Sequence, residues 1–199
     1  MARERAMWRK AVVGAALLAS VLGGAWPASA ATAPGFLDPS EMPPDPFSAW
    51  YWSSFPSEGF YQHLCTDTLE FPAQDVWKAE YSTPETASGA QMSVVLPSEA
   101  EAAQFAAHAE QAVAGCAARR EQQYPGVPVA FTDHGTVAVE EGAHVYGIGY
   151  QGGWGYQNQL FGVGRDGDTV TLVTWESNWG TPPVAAFKNT LTTAVNKLR

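Results

Sequence analysis

The feature that most constrains this chain is Arg165-Asp166-Gly167-Asp168, which stands between two apolar runs at residues 156–164 and 169–175. An Asp-Gly pair flanked in this way is the strongest short-range signal for a tight hairpin, because a type I′ turn needs positive φ and glycine supplies it without steric cost. The two runs must then pair antiparallel. Residues 143–150 extend the pattern: His144, Tyr146, Ile148 and Tyr150 share one face of a strand, with Val145, Gly147 and Gly149 on the other. Residues 127–131 and 137–139 read as two more short strands, with a turn at Asp133-His134-Gly135. Upstream, residues 76–81 and 90–96 flank Pro84, Ser88 and Gly89 as a second hairpin.

Three segments carry helical spacing instead. Phe60, Tyr61, Leu64, Cys65 and Leu69 make a short helix that Pro72 ends. Ser98-Glu99-Ala100-Glu101 is a capping box opening a helix to about residue 122, with Phe105, Ala109, Ala112, Val113 and Cys116 as its buried stripe. Thr181 caps the last helix, with Pro182 in its first turn and Val184, Phe187, Leu191, Ala194 and Leu198 facing inward. Short turns between strands imply antiparallel pairing. The expected class is α+β: a single antiparallel β-sheet with helices packed on one side, and one disulfide.

The disulfide follows from the compartment. Arg3, Arg5, Arg9 and Lys10 precede an uncharged apolar stretch at residues 11–26, and Pro27-Ala28-Ser29-Ala30 ends in a small-x-small site. This is the layout of a secretory signal peptide over residues 1–30, cleaved near Ala30. The stretch is short for a membrane span, and no second apolar run follows, so no span is expected after cleavage. The destination is secreted or extracellular. Export permits a disulfide, and Cys65 and Cys116 are the two cysteines of the chain. A bond between them closes a loop of about 50 residues and contributes on the order of 4 kcal/mol in the chain-entropy model.

Charge removes further classes. The net charge is −9, and the leader holds four of the basic residues and Glu4, so the mature chain is more acidic still. Nucleic-acid binding needs a basic face and is excluded on that ground. Residues 31–48 are rich in proline and form an N-terminal arm, in which Phe36-Leu37 and Met42 can dock onto the domain at 49–199. Trp50-Tyr51-Trp52 is too dense in large rings to stand wholly in solvent.

Catalytic signals are weak: no nucleophile elbow, no H-E-x-x-H, no P-loop. His63, His108, His134 and His144 are isolated from one another in sequence, and no metal or cofactor is called for. The segment Gln151-Gly152-Gly153-Trp154-Gly155-Tyr156-Gln157-Asn158-Gln159 is more unusual, and Glu176-Ser177-Asn178-Trp179-Gly180 resembles it in composition. Flat aromatic faces beside uncharged amides suit a neutral small molecule, glycan or peptide. The candidate site is therefore a cleft where Trp154, Tyr156 and Trp179 stack on a ligand while Gln157 and Asn158 hydrogen-bond it. Packing of the same rings against a glycine-rich sheet is the bland alternative.

The whole layout resembles a known family. Phe36-Leu37-Asp38-Pro39 leads to Trp52 and an early Cys65; Ala102 to Phe105 lies on a long helix ending near Cys116; the hairpin Val163-Gly164-Arg165-Asp166-Gly167-Asp168-Thr169-Val170-Thr171-Leu172 precedes a C-terminal amphipathic helix. In order and spacing this resembles the PknH-like extracellular sensor domain of actinobacteria, here in a stand-alone exported version. The resemblance implies an α+β binding domain with a ligand-sized cleft, a membrane-bound receptor as partner and no catalytic residues. The chain departs from the receptor form in lacking a kinase domain and a lipid-acceptor cysteine, and in having one cysteine pair where the receptor domain is similar to a two-disulfide pattern. The expected function is non-catalytic, sensor-like binding of an extracellular or cell-envelope ligand. Two alternatives are a small hydrolase of cell-wall material, using Glu70, Glu140, Glu141 or His144, and an interaction module docking through Trp50-Tyr51-Trp52.

Overall fold

The computed structural model describes residues 32–153 and 155–199. The expected leader and Trp154 lie outside the described residues.

Seven strands form one antiparallel sheet: β1 (Tyr51–Glu58), β2 (Val76–Ser82), β3 (Ala87–Val95), β4 (Val129–Val137), β5 (Ala143–Gly152), β6 (Gly155–Asp166) and β7 (Thr169–Ser177). Their spatial order is β1-β2-β3-β7-β6-β5-β4. Among the described residues, three α-helices pack with it: α1 (Glu99–Ala114), α2 (Cys116–Gln123) and α3 (Val184–Asn196). The α+β class, the single sheet and the Cys65–Cys116 disulfide are as the sequence implies.

The helices, expected on one side, divide between the two faces. Val76, Met92, Val94, Val163, Val170 and Leu172 pack under Ala102, Phe105 and Ala109 of α1. Ala79, Tyr81, Val145, Leu160, Val173 and Trp175 pack under Phe187, Leu191, Ala194 and Val195 of α3, on the opposite face. The cause is visible in β6, where every residue from 159 to 164 is buried. A strand buried on both parities needs a cover on both faces. Gly162 and Gly164 let α3 approach: a Cβ there would lie 2.8 Å from a Leu191 methyl and 2.4 Å from a Val195 methyl.

The arm belongs to the core. Leu37 and Met42 are buried beside α3, the Leu37 N–H donates to Gln91 Oε1 at 2.8 Å, and Tyr81 Oη donates to the Leu37 carbonyl at 2.9 Å. Lys197 at the end of α3 pairs with Asp38 and Glu41. These contacts meet the backbone polar groups that an extended segment would otherwise bury unpaired.

Several local readings change. Ser98 caps α1 as expected, its Oγ accepting the Glu101 N–H at 3.3 Å, while the Glu101 carboxylate accepts the Ser98 hydroxyl at 3.3 Å; the long helix breaks at Gly115 into α1 and α2. The short helix near Cys65 is only a 3-10 turn, Leu64–Thr66. The turn at Asp133-His134-Gly135 is a register shift inside one strand, β4, as a bulge allows. α3 starts after Pro183 with no side-chain cap, not at Thr181. In the Asp-Gly turn only Gly167 has positive φ, at 56°; this is the type II′ pattern, with glycine at the first central position. β1 was not legible as a strand. It is a largely exposed edge with two register shifts and Pro56 within it, features that blunt an edge against further pairing.

Candidate functional site

On the α1 side the helical layer covers only part of the sheet. α1 shields the apolar ends of β2, β3, β6 and β7. The disulfide, with Val113, covers Tyr146, Ile148 and Phe161. Towards the β2–β3 turn the floor becomes polar. Antiparallel register sets Ser88 opposite Glu176, Glu176 opposite Gln159, and Gln157 opposite Tyr150. Ser88 Oγ donates to Glu176 Oε1 at 2.7 Å, and Gln159 Nε2 donates to Glu176 Oε2 at 3.0 Å. One carboxylate is thus held from both neighbouring strands, which fixes its orientation without an ion pair.

His63 lies over this row. Its Nδ1 accepts the Cys65 N–H at 3.0 Å, and its ring meets Phe161 edge-on at 5.0 Å. Burial holds the imidazole below the usual histidine range; Glu176 opposes that, Arg120 reinforces it, and Asp67 opposes it. His63 is therefore neutral at pH 7, and because Nδ1 is an acceptor, the proton sits on Nε2. That nitrogen faces Gln159 Nε2 at 3.5 Å. Both are donors, so neither satisfies the other. The amide cannot simply turn over, because Glu176 requires its NH₂. Gln159 is 4% exposed, and its Oε1 has no hydrogen-bond partner among the described residues. A cavity of about 10 Å³, lined by Tyr61, His63, Gln159 and Glu176 among others, has room for roughly one water-sized group. Glu176 also lines the wider groove beside it, of about 400 Å³, walled by the β2–β3 turn and Gln157. On the same face, Arg120 lies over the ring of Tyr150, the β5 partner of Gln157, 3.4 Å from the centroid.

The expected ligand residues divide between the two faces. The segment at 151–159 is not a loop: it is the continuation of the β5–β6 hairpin, so successive side chains alternate. Gln157 faces the groove with Glu176. Tyr156 turns to the α3 side, 46% exposed, with its ring over Gly149. Asn158, on the same side as Tyr156, donates from Nδ2 to the Gly180 carbonyl at 3.3 Å. Trp179, 58% exposed, borders a second groove of about 240 Å³ with Phe47 and Trp175. The 151–159 and 176–180 segments do meet, through β6–β7 pairing, but they border two grooves and not one cleft.

The alternative catalytic residues are brought together only in part. Glu70 lines a groove with His108 and Arg119. Glu141 and His144 line another, along α1 with Glu110. His144 Nε2 is 2.6 Å from Asp133 Oδ1, and the Asp133 carboxyl is held below its ordinary range, first by this bond and then by the Gly135 N–H. Glu141 accepts the Gly167 N–H at 2.8 Å, and Glu140 occupies a turn at φ 39°. Among the described residues, no group of three or more His, Cys, Asp or Glu side chains is placed to hold a metal, and no helix is long and apolar enough to cross a membrane.

Sequence reasoning passed over His63 and treated Glu176 and Gln159 only as parts of their segments. One signal was available: a glutamine inside the apolar run that ends in Gly164.

No protein family and no curated protein sequence matches the chain. Among solved structures, the extracellular domain of PknH from Mycobacterium tuberculosis is similar, with a TM-score of 0.50 and 13% sequence identity. The likeness covers 75% of this chain and 86% of that one. It shows a relationship of fold to that extracellular domain and leaves family membership unassigned.

Proposed function

We propose that the chain is an exported, non-catalytic, sensor-like binding domain. It holds an extracellular or cell-envelope ligand in the groove lined by Ser88, Gln157 and Glu176, where Glu176 is shared with the small cavity that Gln159 lines. The observation that carries this reading is the Gln159 acceptor, buried and without a partner beside that groove. An unpaired buried carbonyl costs about 1–3 kcal/mol, and a ligand or ordered water that donates to it recovers that cost. The polar floor agrees: a carboxylate already oriented by Ser88 and Gln159, with Gln157 beside it, is a pre-organised acceptor set. Export is supported by the signal-peptide layout, the disulfide and a fold shared with an extracellular domain. A membrane-bound receptor would read the occupied state.

The hydrolase alternative is disfavoured by the separation of Glu70 from His144 in different grooves. Docking through Trp50-Tyr51-Trp52 is disfavoured because Trp50 Nε1 donates to the Pro43 carbonyl at 2.7 Å and Trp52 packs on Tyr81.

Native mass spectrometry of protein secreted by its source organism tests the proposal. The wild type should carry a defined adduct that Gln157→Ala and Glu176→Gln each reduce, while Trp179→Ala retains it. A bare wild type, or an adduct unchanged in both groove variants, would refute it.

A further inference from the structure

The groove on the α3 side is separate from the one above, and its lining differs in kind. Phe47, Trp175 and Trp179 bring three aromatic rings to it, Pro44 and Pro183 add apolar walls, and Asp45 brings a carboxylate. Among the described residues, no lysine, arginine or histidine lines it. Phe47 is 68% exposed and Trp179 58% exposed, yet neither is on a loose loop. Asp45 Oδ1 accepts the N–H groups of Phe47 and Ser48, each at 2.9 Å, and Oδ2 accepts from Thr86 Oγ1 at 2.9 Å. Trp179 N–H donates to Ser177 Oγ at 3.0 Å, and Asn158 ties down the adjoining Gly180. The backbone that carries these two large rings is therefore tied down, and the rings are left open to water. Asp45 has no cationic partner among the described residues.

Aromatic faces carry negative potential and attract cations that shed water easily. A carboxylate at the rim adds Coulombic attraction of the same sign. An anion would meet repulsion from Asp45, and a neutral ring would leave that charge unused. Quaternary or alkylated ammonium groups are weakly hydrated, bulky and positive, and aromatic sites with a nearby carboxylate suit them. A groove of about 240 Å³ is large enough for such a head group. We infer that this groove, completed by the docked N-terminal arm, is a binding site for a quaternary or alkylated ammonium group.

Choline is the probe, titrated into the oxidised protein at low ionic strength, with the indole N–H resonances followed by NMR. The Trp179 resonance should shift saturably. The neutral isostere 3,3-dimethylbutan-1-ol should bind at least roughly tenfold more weakly, since it keeps the shape and loses the cation–π and Coulomb terms. Added sodium chloride should weaken choline binding. Trp179→Ala should abolish the effect, read at the Trp175 indole. Asp45→Asn should weaken it several-fold while still capping Phe47 and Ser48, because an asparagine Oδ1 accepts the same two N–H groups. Phosphatidylcholine vesicles separate the two sources of the group: co-sedimentation assigns a lipid head group, and choline binding without it assigns a free cation. Equal binding of the neutral alcohol, retention of choline by Trp179→Ala, or no saturable shift would overturn the inference.

Discussion

Leu37→Ala should strongly destabilise a domain whose sheet lies entirely downstream of it. Leu37 is 0% exposed and packs in the cluster that contains Tyr81, Trp175 and Phe187. Truncating a fully buried leucine costs about 2–5 kcal/mol, from lost transfer energy and the cavity left behind. The site can collapse only in part, because the backbone on either side is fixed: Leu37 N–H is held by Gln91 and its carbonyl by Tyr81. A loss of about 3 kcal/mol is the central expectation. For a domain of this size each kcal/mol shifts Tm by about 2–4 °C, so Tm should fall by about 6–12 °C. The assay is thermal unfolding of the oxidised protein followed by near-UV circular dichroism. Phe47→Ala in the same arm is the control: Phe47 is 68% exposed, and its loss should stay within about 0.5 kcal/mol. If Leu37→Ala and Phe47→Ala melt alike, within a degree of the wild type, the arm is not part of the core and the reasoning fails.

Other outcomes follow from the same structure. Replacing Cys65 and Cys116 together by serine opens a loop of sequence separation 51 and should cost about 4 kcal/mol, seen as a lower denaturant midpoint than for the oxidised wild type. Gly164→Ala places a methyl 2.4 Å from Val195 Cγ2; overpacking of this kind costs about 1–3 kcal/mol, and calorimetry should show a lower Tm. Burial depresses the His63 pKa, so His63 contributes stability that is present above its unfolded value of about 6.5 and lost as pH falls through the lower folded value. Between pH 7 and 5 the wild type should therefore lose more stability than His63→Asn, whose side chain can still accept the Cys65 N–H. Equal losses would mean that the imidazole is not held neutral.

Local chemistry was readable wherever a few adjacent residues determine it. The Ser98 cap, the glycine in the Asp-Gly turn and the alternation of His144, Tyr146 and Ile148 were all legible. What was missed depended mostly on long-range partners. The second helical layer follows from both parities of β6 being apolar, a pattern that a short run does not distinguish from a strand covered on one face. β1 lacked alternation because Pro56 and its register shifts interrupt it. The break falls at Gly115, the glycine within the helical run, whose low helix propensity is a local signal that the long apolar stripe obscured. In the site, the Ser88–Glu176 bond joins residues 88 apart in sequence, and no spacing rule predicts such a pair. The division of Gln157 from Tyr156 and Asn158 was predictable once the segment is seen as strand and not loop.

The groove lined by Gln157 and Glu176, next to the small cavity under His63, is central to the proposed function, and the side-chain amides of β6 report on it by face. The decisive measurement is a two-dimensional ¹⁵N NMR spectrum of the oxidised domain before and after addition of the small-molecule fraction of medium conditioned by its source organism. The account predicts that the side-chain NH₂ resonances of Gln157 and Gln159 move while that of Asn158, on the opposite face, stays. Movement confined to Asn158 and the Trp179 indole, or no movement at all, would contradict it.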